Sequence, residues 1–279
     1  MTVERRVAAA VEVARGHGVS VSAPRVLAAS NNVVVQLAPA PLVAKVAATW
    51  RRRDQRRGRL ARELAVARHA AGHGAPVVQP SVDPPAGPHR RDGYELTLWK
   101  LVEPARREAD SAEIADALTA FHTAMADYPG QLPSFRSSLD EATDLLADTS
   151  CLPRLQADDR AVLVRTDRRI REALPAFSWH QRPLHGQPHE GNRFVTPSGV
   201  LLFDLEDACS GPLEWDLAYL PSEITTHFER VQLELLTLLR QAVSLCVAVW
   251  CWADPDRAPD VAEAAHVHVG ILREAENRV

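Results

Sequence analysis

The hydrophobic pattern of this chain changes near residue 104, and that change constrains the fold more than any other feature. Before it, short apolar runs such as NNVVVQLA and PLVAKVA are bounded by Asn and Pro turn signals, which predicts a small antiparallel sheet. From residue 111 onward the apolar residues recur at helical spacing, apart from one apolar strand at 199–207. The sequence therefore predicts an α+β fold with a small β-rich part and a larger, mainly helical part.

These predicted elements divide the chain into two lobes and a hinge. Residues 1–98 form the N-terminal lobe, which begins with a short amphipathic helix at 3–16 and contains one long helix at 49–74. Residues 99–104 form the hinge, and residues 105–279 form the helical C-terminal lobe.

The composition argues against several classes of protein. A formal charge of −4 gives no general attraction to nucleic acid or to an anionic membrane. The most apolar stretch, 233–252, is interrupted by Glu234 and Arg240, which favours a buried helix over a membrane span. The 4 cysteines are scattered without a CxxC pair, which favours reduced thiols. We expect a soluble, cytoplasmic protein, a monomer or homodimer, with no nucleic-acid or membrane partner.

Lysine is rare in this chain, which makes each lysine a candidate for a chemical role. Of the 32 basic residues only Lys45 and Lys100 are lysines. Lys45 lies late in a predicted strand, Glu63 lies in the next predicted helix, and a connector follows Trp99. The loop HGQPHEGN and the strand LLFD follow in the helical part. Phosphoryl transfer from ATP uses such a set: a strand lysine with a helix glutamate, and an Asn and an Asp that bind magnesium.

With these motifs in this order, the chain resembles the aminoglycoside phosphotransferase family, whose relatives include choline kinase and, more distantly, protein kinases. The resemblance covers nearly the whole chain. It is carried by the segments VAK with RELAVARHAAGHG, LTLWKLVEP, ALTAFH, HGQPHEGN and LLFDLEDACSGPLEWDLAYL. It implies a bilobal protein-kinase-like fold and an enzyme that moves the γ-phosphate of ATP, or GTP, to a hydroxyl of a small molecule.

The resemblance also implies roles for individual residues. Lys45 would contact the α- and β-phosphates with Glu63 as its ion-pair partner, and Asn192 and Asp204 would hold Mg²⁺. Backbone groups of the connector, at Lys100, Leu101 and Val102, would hydrogen-bond the adenine. Ser30 and Asn31 of the β1–β2 turn would face the phosphates. Three structural alternatives stay open. Lys45 and Glu63 could form a surface salt bridge, Asp204 could be a turn residue at the end of a strand, and Ser30 and Asn31 could belong to an ordinary hairpin turn.

The catalytic loop departs from the family pattern at one position. The family has an Asp that accepts or orients the proton of the acceptor hydroxyl, and this chain has Gln187. A neutral amide can hydrogen-bond a hydroxyl but cannot take its proton, and loss of a general base typically costs about 10²–10⁴ in rate. Glu190, Glu206 and Asp207 are candidate replacements, although none occupies the family's base position.

Other polar residues of these motifs have structural or substrate-related interpretations. Asp216 is expected to support the catalytic loop by accepting its amide hydrogens. His185 and His189 are four residues apart, but the Gly and Pro residues around them argue against the helix that a zinc pair would need. The acidic residues near the loop could suit a cationic acceptor such as an amino-sugar or another cationic alcohol; they are Glu190, Glu206, Asp207 and Glu214.

Three hypotheses therefore remain open. The first is an active phosphotransferase that uses Mg²⁺ and ATP or GTP. The second is a degenerate pseudo-kinase that binds a nucleotide or another ligand without turnover, and its support is Gln187 alone. The third is an unrelated helical interaction protein, which leaves the ordered set of motifs unexplained. None of these motifs specifies the acceptor.

Overall fold

The computed structural model describes residues 2–29, 32–47, 58–258 and 260–277. The chain forms two compact units, one of residues 1–130 with 189–208 and one of residues 131–188 with 209–279. Residues 105–130 and 189–208, which the sequence predicts in the C-terminal lobe, thus group with the N-terminal elements. The lobe boundary at 99–104 stays a prediction.

The first unit contains three helices and seven strands among its described residues. In chain order they are α1 (Val3–Gly16), β1 (Val21–Ala29), β2 (Val33–Pro39), β3 (Leu42–Val46), α2 (Arg59–Gly72), β4 (His89–Arg91), β5 (Tyr94–Lys100), α3 (Ser111–Ala124), β7 (Arg193–Thr196) and β8 (Gly199–Leu202), with β6 in the other unit.

The predicted antiparallel sheet is present and has five strands in the order β1-β2-β3-β5-β4. Side chains alternate along a strand, so Val33, Val35 and Leu37 of β2 are buried on one face. Helix α1 covers part of the same core with Ala9, Ala10 and Ala14, whose small side chains permit close approach. The antiparallel sheet and α1 confirm the predicted fold of this region.

Helix α2 and the hairpin of β7 and β8 position the candidate site. Helix α2 buries Leu60, Leu64 and Ala67, and the same helix buries the carboxylate of Glu63. It confirms the second half of the helix predicted at 49–74, whereas residues 48–57 lie outside the described part. The hairpin is tied to the chain after α2 by the amide of Val78, which donates to the Leu202 carbonyl at 2.9 Å.

The second unit is mainly helical, as the sequence predicts. Its elements are α4 (Arg136–Ala147), α5 (Ala157–Ala173), β6 (Arg182–Leu184), β9 (Cys209–Gly211), α6 (Leu213–Leu217), α7 (Ser222–Thr225), α8 (Leu233–Ala253) and α9 (Val261–Glu276). Among the described helices, α8 alone is long and apolar enough to cross a membrane, and 78% of its most apolar window is buried within the protein. It packs against α4, α5, α6 and α9, which is the arrangement of a core helix.

Candidate active site

Lys45 lies at the centre of a cluster of carboxylates in the first unit. It stands on β3, where pairing with β2 and β5 on either side fixes its backbone, and it is 7% exposed. Its ammonium nitrogen Nζ lies 2.8 Å from Glu63 Oε1, 2.5 Å from Asp204 Oδ1 and 3.2 Å from Glu206 Oε2. The predicted ion pair of Lys45 and Glu63 is therefore present, and it is buried. The alternative of a surface salt bridge is wrong.

The cluster carries more negative than positive charge, and its pKa values reflect this. Burial is the largest influence on the pKa of Glu63 and raises it to about 8, although the Lys45 ammonium lowers it. Burial also raises the pKa of Asp204, again against the effect of Lys45. For Lys45, burial lowers the pKa, but Asp204, Glu206 and Glu63 together raise it well above its ordinary value. Three acidic groups share one ammonium, and an added cation would favour the ionised form of each.

Glu206 connects the cluster to the end of the β1–β2 turn. Its Oε2 accepts a hydrogen bond from Nδ2 of Asn32 at 3.2 Å, in addition to its contact with Lys45. Asn32 is 7% exposed. Ser30 and Asn31, the predicted phosphate-facing residues of this turn, lie outside the described residues.

Asp204 has an unusual backbone conformation. With φ 60° and ψ 58° it lies in the left-handed region, which L-residues other than Asn and Asp rarely adopt. A 3₁₀ turn, Leu205–Asp207, follows directly. Because the chain turns here, both the Asp204 and the Glu206 carboxylates reach Lys45.

Asn192 lies at the open end of the β7–β8 hairpin, opposite Phe203, the residue before Asp204. It ends the 3₁₀ turn Glu190–Asn192 and is only 7% exposed. The Phe203 amide donates to the Asn192 carbonyl at 3.0 Å. This backbone hydrogen bond joins one predicted magnesium ligand to the residue before the other.

The chemistry of these two residues fits Mg²⁺. Both offer oxygen donors, and Mg²⁺ usually takes one or two protein carboxylates together with phosphates and waters instead of a complete protein cage. The described residues contain no group of three or more His, Cys, Asp or Glu side chains arranged for a metal. The surplus negative charge around Lys45 also suits a divalent cation bound with a nucleotide.

The predicted catalytic loop belongs to the second unit up to Pro188, and Asp216 holds its backbone there. Asp216 is fully buried, and its two carboxylate oxygens accept the amides of His185 at 2.9 Å and Gly186 at 2.8 Å. Trp215 donates from Nε1 to the Gly186 carbonyl at 3.1 Å. The predicted role of Asp216 is thus confirmed. The Gln187 amide follows directly and contacts His185 Nδ1 at 3.4 Å, and its side chain is half-buried.

The acidic residues proposed as bases or as acceptor contacts have different surroundings. Asp207 forms an ion pair with Arg59 of α2. Glu214 is buried and accepts the Gln232 amide at 2.9 Å, so it does not supply an exposed charge. Glu190 is exposed, next to the metal-ligand candidate in sequence. Glu214 therefore does not support the prediction of a cationic acceptor, and the Asp207 carboxylate is already paired with the Arg59 guanidinium.

A sequence profile described as the phosphotransferase enzyme family (APH) matches residues 28–253, which include every residue of this cluster. The chain belongs to the phosphotransferase enzyme family. A search of curated proteins finds no match.

Solved structures of the family share the fold at low sequence identity. A choline/ethanolamine kinase family protein from Mesorhizobium loti is 18% identical, with 97% of this chain and 93% of that chain covered and a TM-score of 0.67. The amicoumacin kinase hAmiN in complex with AMP-PNP, Ca²⁺ and Ami is 13% identical, with coverage of 98% and 95% and a TM-score of 0.71. The GDP and kanamycin complex of APH(2")-IIia is 15% identical, with coverage of 96% and 98% and a TM-score of 0.66. The protein thus has the bilobal kinase-like α+β fold that the sequence predicts.

In the family, the connector after β5 is the expected adenine contact, and here part of its backbone already has partners. The Lys100 amide donates to the Gln79 carbonyl at 3.0 Å, and the Leu101 amide donates to the Pro41 carbonyl at 2.9 Å. Val102 comes next in the chain and is half-buried. The adenine contact stays a prediction, and it would use the carbonyls of this segment or the Val102 amide.

Three site residues were missed or given other roles by sequence reasoning. The sequence offers Asn32 only as a turn signal, assigns Arg59 no role, and offers Glu206 as a candidate base and as an acidic contact for a cationic acceptor. The signal for Glu206 was its position two residues after Asp204. Because side chains alternate along an extended strand, two residues at this spacing would lie on one face. The left-handed turn at Asp204 achieves the same result by a different path.

Proposed function

We propose that this family member transfers the γ-phosphate of a magnesium-bound nucleoside triphosphate, ATP or GTP, to a hydroxyl of a small molecule. The observation that carries the proposal is the buried contact of Lys45 with both Glu63 and Asp204. An ion pair of this kind does little for stability when it is buried, because desolvation offsets the attraction. A lysine that a helix carboxylate holds in place, next to a candidate metal ligand, is however well suited to bind phosphate oxygens.

In this proposal the residues of the cluster have distinct tasks. Lys45 binds non-bridging oxygens of the α- and β-phosphates, and Glu63 keeps its ammonium in place. Asn192 and Asp204 hold Mg²⁺, which neutralises the charge of the phosphates and of the group in transfer. The excess of carboxylates over ammonium groups means that the nucleotide and its cation bind together more favourably than the nucleotide alone.

Gln187 limits how the acceptor is activated. Its amide accepts a hydrogen bond from the acceptor hydroxyl and so orients it, but it does not take the proton. Phosphoryl transfer proceeds through a loose transition state in which positioning and electrostatics supply most of the rate enhancement. A slow but genuine transfer is therefore compatible with glutamine at this position, with the proton passing to solvent or to the phosphate.

The first experiment is a thermal-denaturation series with ATP and GTP, each with and without Mg²⁺, on the wild type and on Lys45→Met. We expect the melting temperature of the wild type to rise only with nucleotide and Mg²⁺ together. The same addition should leave Lys45→Met unchanged. No rise in the wild type with either nucleotide would overturn the proposal.

The second experiment measures nucleotide consumption with a panel of acceptors: aminoglycosides, macrolides, choline-like alcohols and neutral sugars. Consumption that depends on one acceptor class, with the phosphorylated product seen by mass spectrometry, establishes the transferase. Nucleotide binding without product formation on any acceptor would instead favour the pseudo-kinase, which the substitution at Gln187 keeps as the second candidate.

A further inference from the structure

The first turns of α2 hold the chain segment that follows Asp204. Arg62 donates from Nη2 to the Glu206 carbonyl at 2.9 Å, and Arg59 forms an ion pair with Asp207. Both partners of that pair are largely buried, with the side chain of Arg59 15% exposed and that of Asp207 14% exposed. These contacts fasten the 3₁₀ turn Leu205–Asp207 to the helix.

All three links between α2 and the site come from one face of the helix. Arg62 and Glu63 lie three and four residues after Arg59, and residues at these spacings are neighbours on a helix surface. Glu63 reaches Lys45, whereas the two arginines reach the turn after Asp204. Helix α2 thus contacts the predicted phosphate-binding lysine and the segment of the predicted metal ligand at once.

The two arginines are placed where they do not help the helix itself. Helix α2 begins at Arg59, directly after Gly58, and has no acidic residue in its first turn. Cations near a helix N-terminus are disfavoured by the helix dipole. Their positions are explained by their partners at residues 206 and 207 and not by helix stability.

The turn that they hold is a conformation that needs support. Asp204 has a left-handed backbone, a conformation that Asp tolerates better than most L-residues but that still needs support from the surrounding structure. Leu205 is 1% exposed and anchors the turn in the core, but an apolar contact does not set the direction of the Asp204 carboxylate. Lys45 contacts the Asp204 carboxylate directly, and the directional contacts that α2 makes to the turn behind it are those of Arg59 and Arg62.

We propose that Arg59 and Asp207 are positioning residues that orient Asp204 toward the bound cation, so Asp207 acts through the turn and not as the catalytic base. This inference rests on the proposed function, because it assigns the pair a role in binding Mg²⁺ with the nucleotide. Arg62 supports the same turn through a backbone carbonyl.

The test is the Mg²⁺ concentration at half-saturation for binding of a fluorescent ATP analogue. It is measured on the wild type, Arg59→Met, Asp207→Asn, the exchange variant Arg59→Asp with Asp207→Arg, and Arg68→Met. Arg68 is an exposed arginine on the same helix and serves as the matched control. Loss of a residue that orients a metal ligand typically weakens metal binding about 10- to 100-fold. We expect a shift of that size in both single variants, partial recovery in the exchange variant, and no shift in Arg68→Met.

The direction of the Arg59→Met effect separates positioning from simple electrostatics. Removing a positive charge near a cation site strengthens cation binding if only the long-range field matters, whereas it weakens binding if Arg59 orients Asp204. A lower Mg²⁺ concentration at half-saturation in Arg59→Met than in the wild type would therefore overturn the inference. So would an equal loss of analogue binding with Mg²⁺ and with chelator, which indicates a general structural defect.

Folding and the proposed function are controlled separately. Circular dichroism and the unfolding midpoint are recorded for each variant, and Arg59→Lys replaces Arg59→Met if the latter does not fold. If the wild type shows no Mg²⁺-dependent binding, the proposed function fails and the role of the pair fails with it. If the wild type responds but the single variants behave like Arg68→Met, only the role of the pair fails.

Discussion

Lys45 and Asp204 are 159 residues apart in the chain, yet the lysine ammonium lies 2.5 Å from a carboxylate oxygen of the aspartate. Lys45 comes from the middle of a sheet and Asp204 from the end of a separate hairpin. Because Glu63 and Glu206 meet the same ammonium, the stability of this region and the binding of a nucleotide are coupled through one side chain.

Replacement of Lys45 by methionine is expected to destabilise the protein. The change leaves the buried Glu63 and Asp204 without their cation, and breaking a buried ion pair by removing one partner typically costs about 3–5 kcal/mol. Urea denaturation measures the free energy of unfolding. Lys100→Met is the control, because Lys100 is exposed. A second substitution, Glu63→Leu, should restore part of the loss; an unchanged free energy in Lys45→Met would contradict the buried pair.

Replacement of Asp216 by asparagine is expected to loosen the catalytic loop. Asparagine retains one carbonyl oxygen, so one of the two amides of His185 and Gly186 loses its acceptor in a buried place. A buried donor left unsatisfied costs about 1–3 kcal/mol. Urea denaturation of Asp216→Asn, compared with the exposed Asp116→Asn, measures this loss. Faster hydrogen exchange should be confined to residues around the loop, and uniform exchange throughout the chain would argue against a local role.

Replacement of Gln187 by aspartate is expected to raise the turnover number. General-base assistance contributes about 10²–10⁴ in rate, and the aspartate supplies it if the acceptor hydroxyl lies where Gln187 orients it. The measurement is the turnover number with the best acceptor of the panel, with Gln187→Ala as the control for loss of orientation. A lower rate in Gln187→Asp than in the wild type would show that the neutral amide itself is required.

The stability of the protein is expected to fall as the pH falls through about 6.5, in part because of His268. Burial lowers the pKa of His268, and its Nδ1 is buried without a hydrogen-bond partner in the described part of the chain. The unfolded chain therefore binds more protons than the folded protein in this range, so the free energy of unfolding rises with pH.

The variant His268→Gln tests this dependence. It should reduce the slope of the free energy of unfolding between mildly acidic and neutral pH, measured by urea denaturation at several pH values. His180→Gln, at an exposed histidine of the same unit, should leave the slope unchanged. The same slope in His268→Gln and in the wild type would show that other groups account for the acid sensitivity.

Local patterns in the chain were sufficient to predict several features of the site. The helix at 3–16 follows from apolar spacing, and the order of lysine strand, glutamate helix, loop and aspartate strand follows from motifs a few residues long. The role of Asp216 could also be predicted, because the WDLA segment that carries it belongs to the motifs on which the resemblance to the family rests. Each of these depends on neighbours in sequence or on a motif of fixed spacing.

The partners of the acidic residues could not be obtained in that way. Glu206, Asp207 and Glu214 all look like free carboxylates in the sequence, yet each has a defined partner in the folded chain. Lys45 lies 161 residues before Glu206 and Arg59 lies 148 residues before Asp207, so only the fold brings these pairs together. Gln232 lies 18 residues after Glu214. Composition and periodicity carry no information about which charge meets which.

Residue types and their spacing along the chain thus defined the family, the fold class and the set of candidate ligands. The tertiary structure decided which carboxylates share Lys45 and which one is held by Arg59. The physical reason lies in the left-handed turn at Asp204. Local propensity disfavours that conformation, and contacts from helix α2, far away in sequence, support it. The directions of the Asp204, Glu206 and Asp207 side chains all follow from that turn.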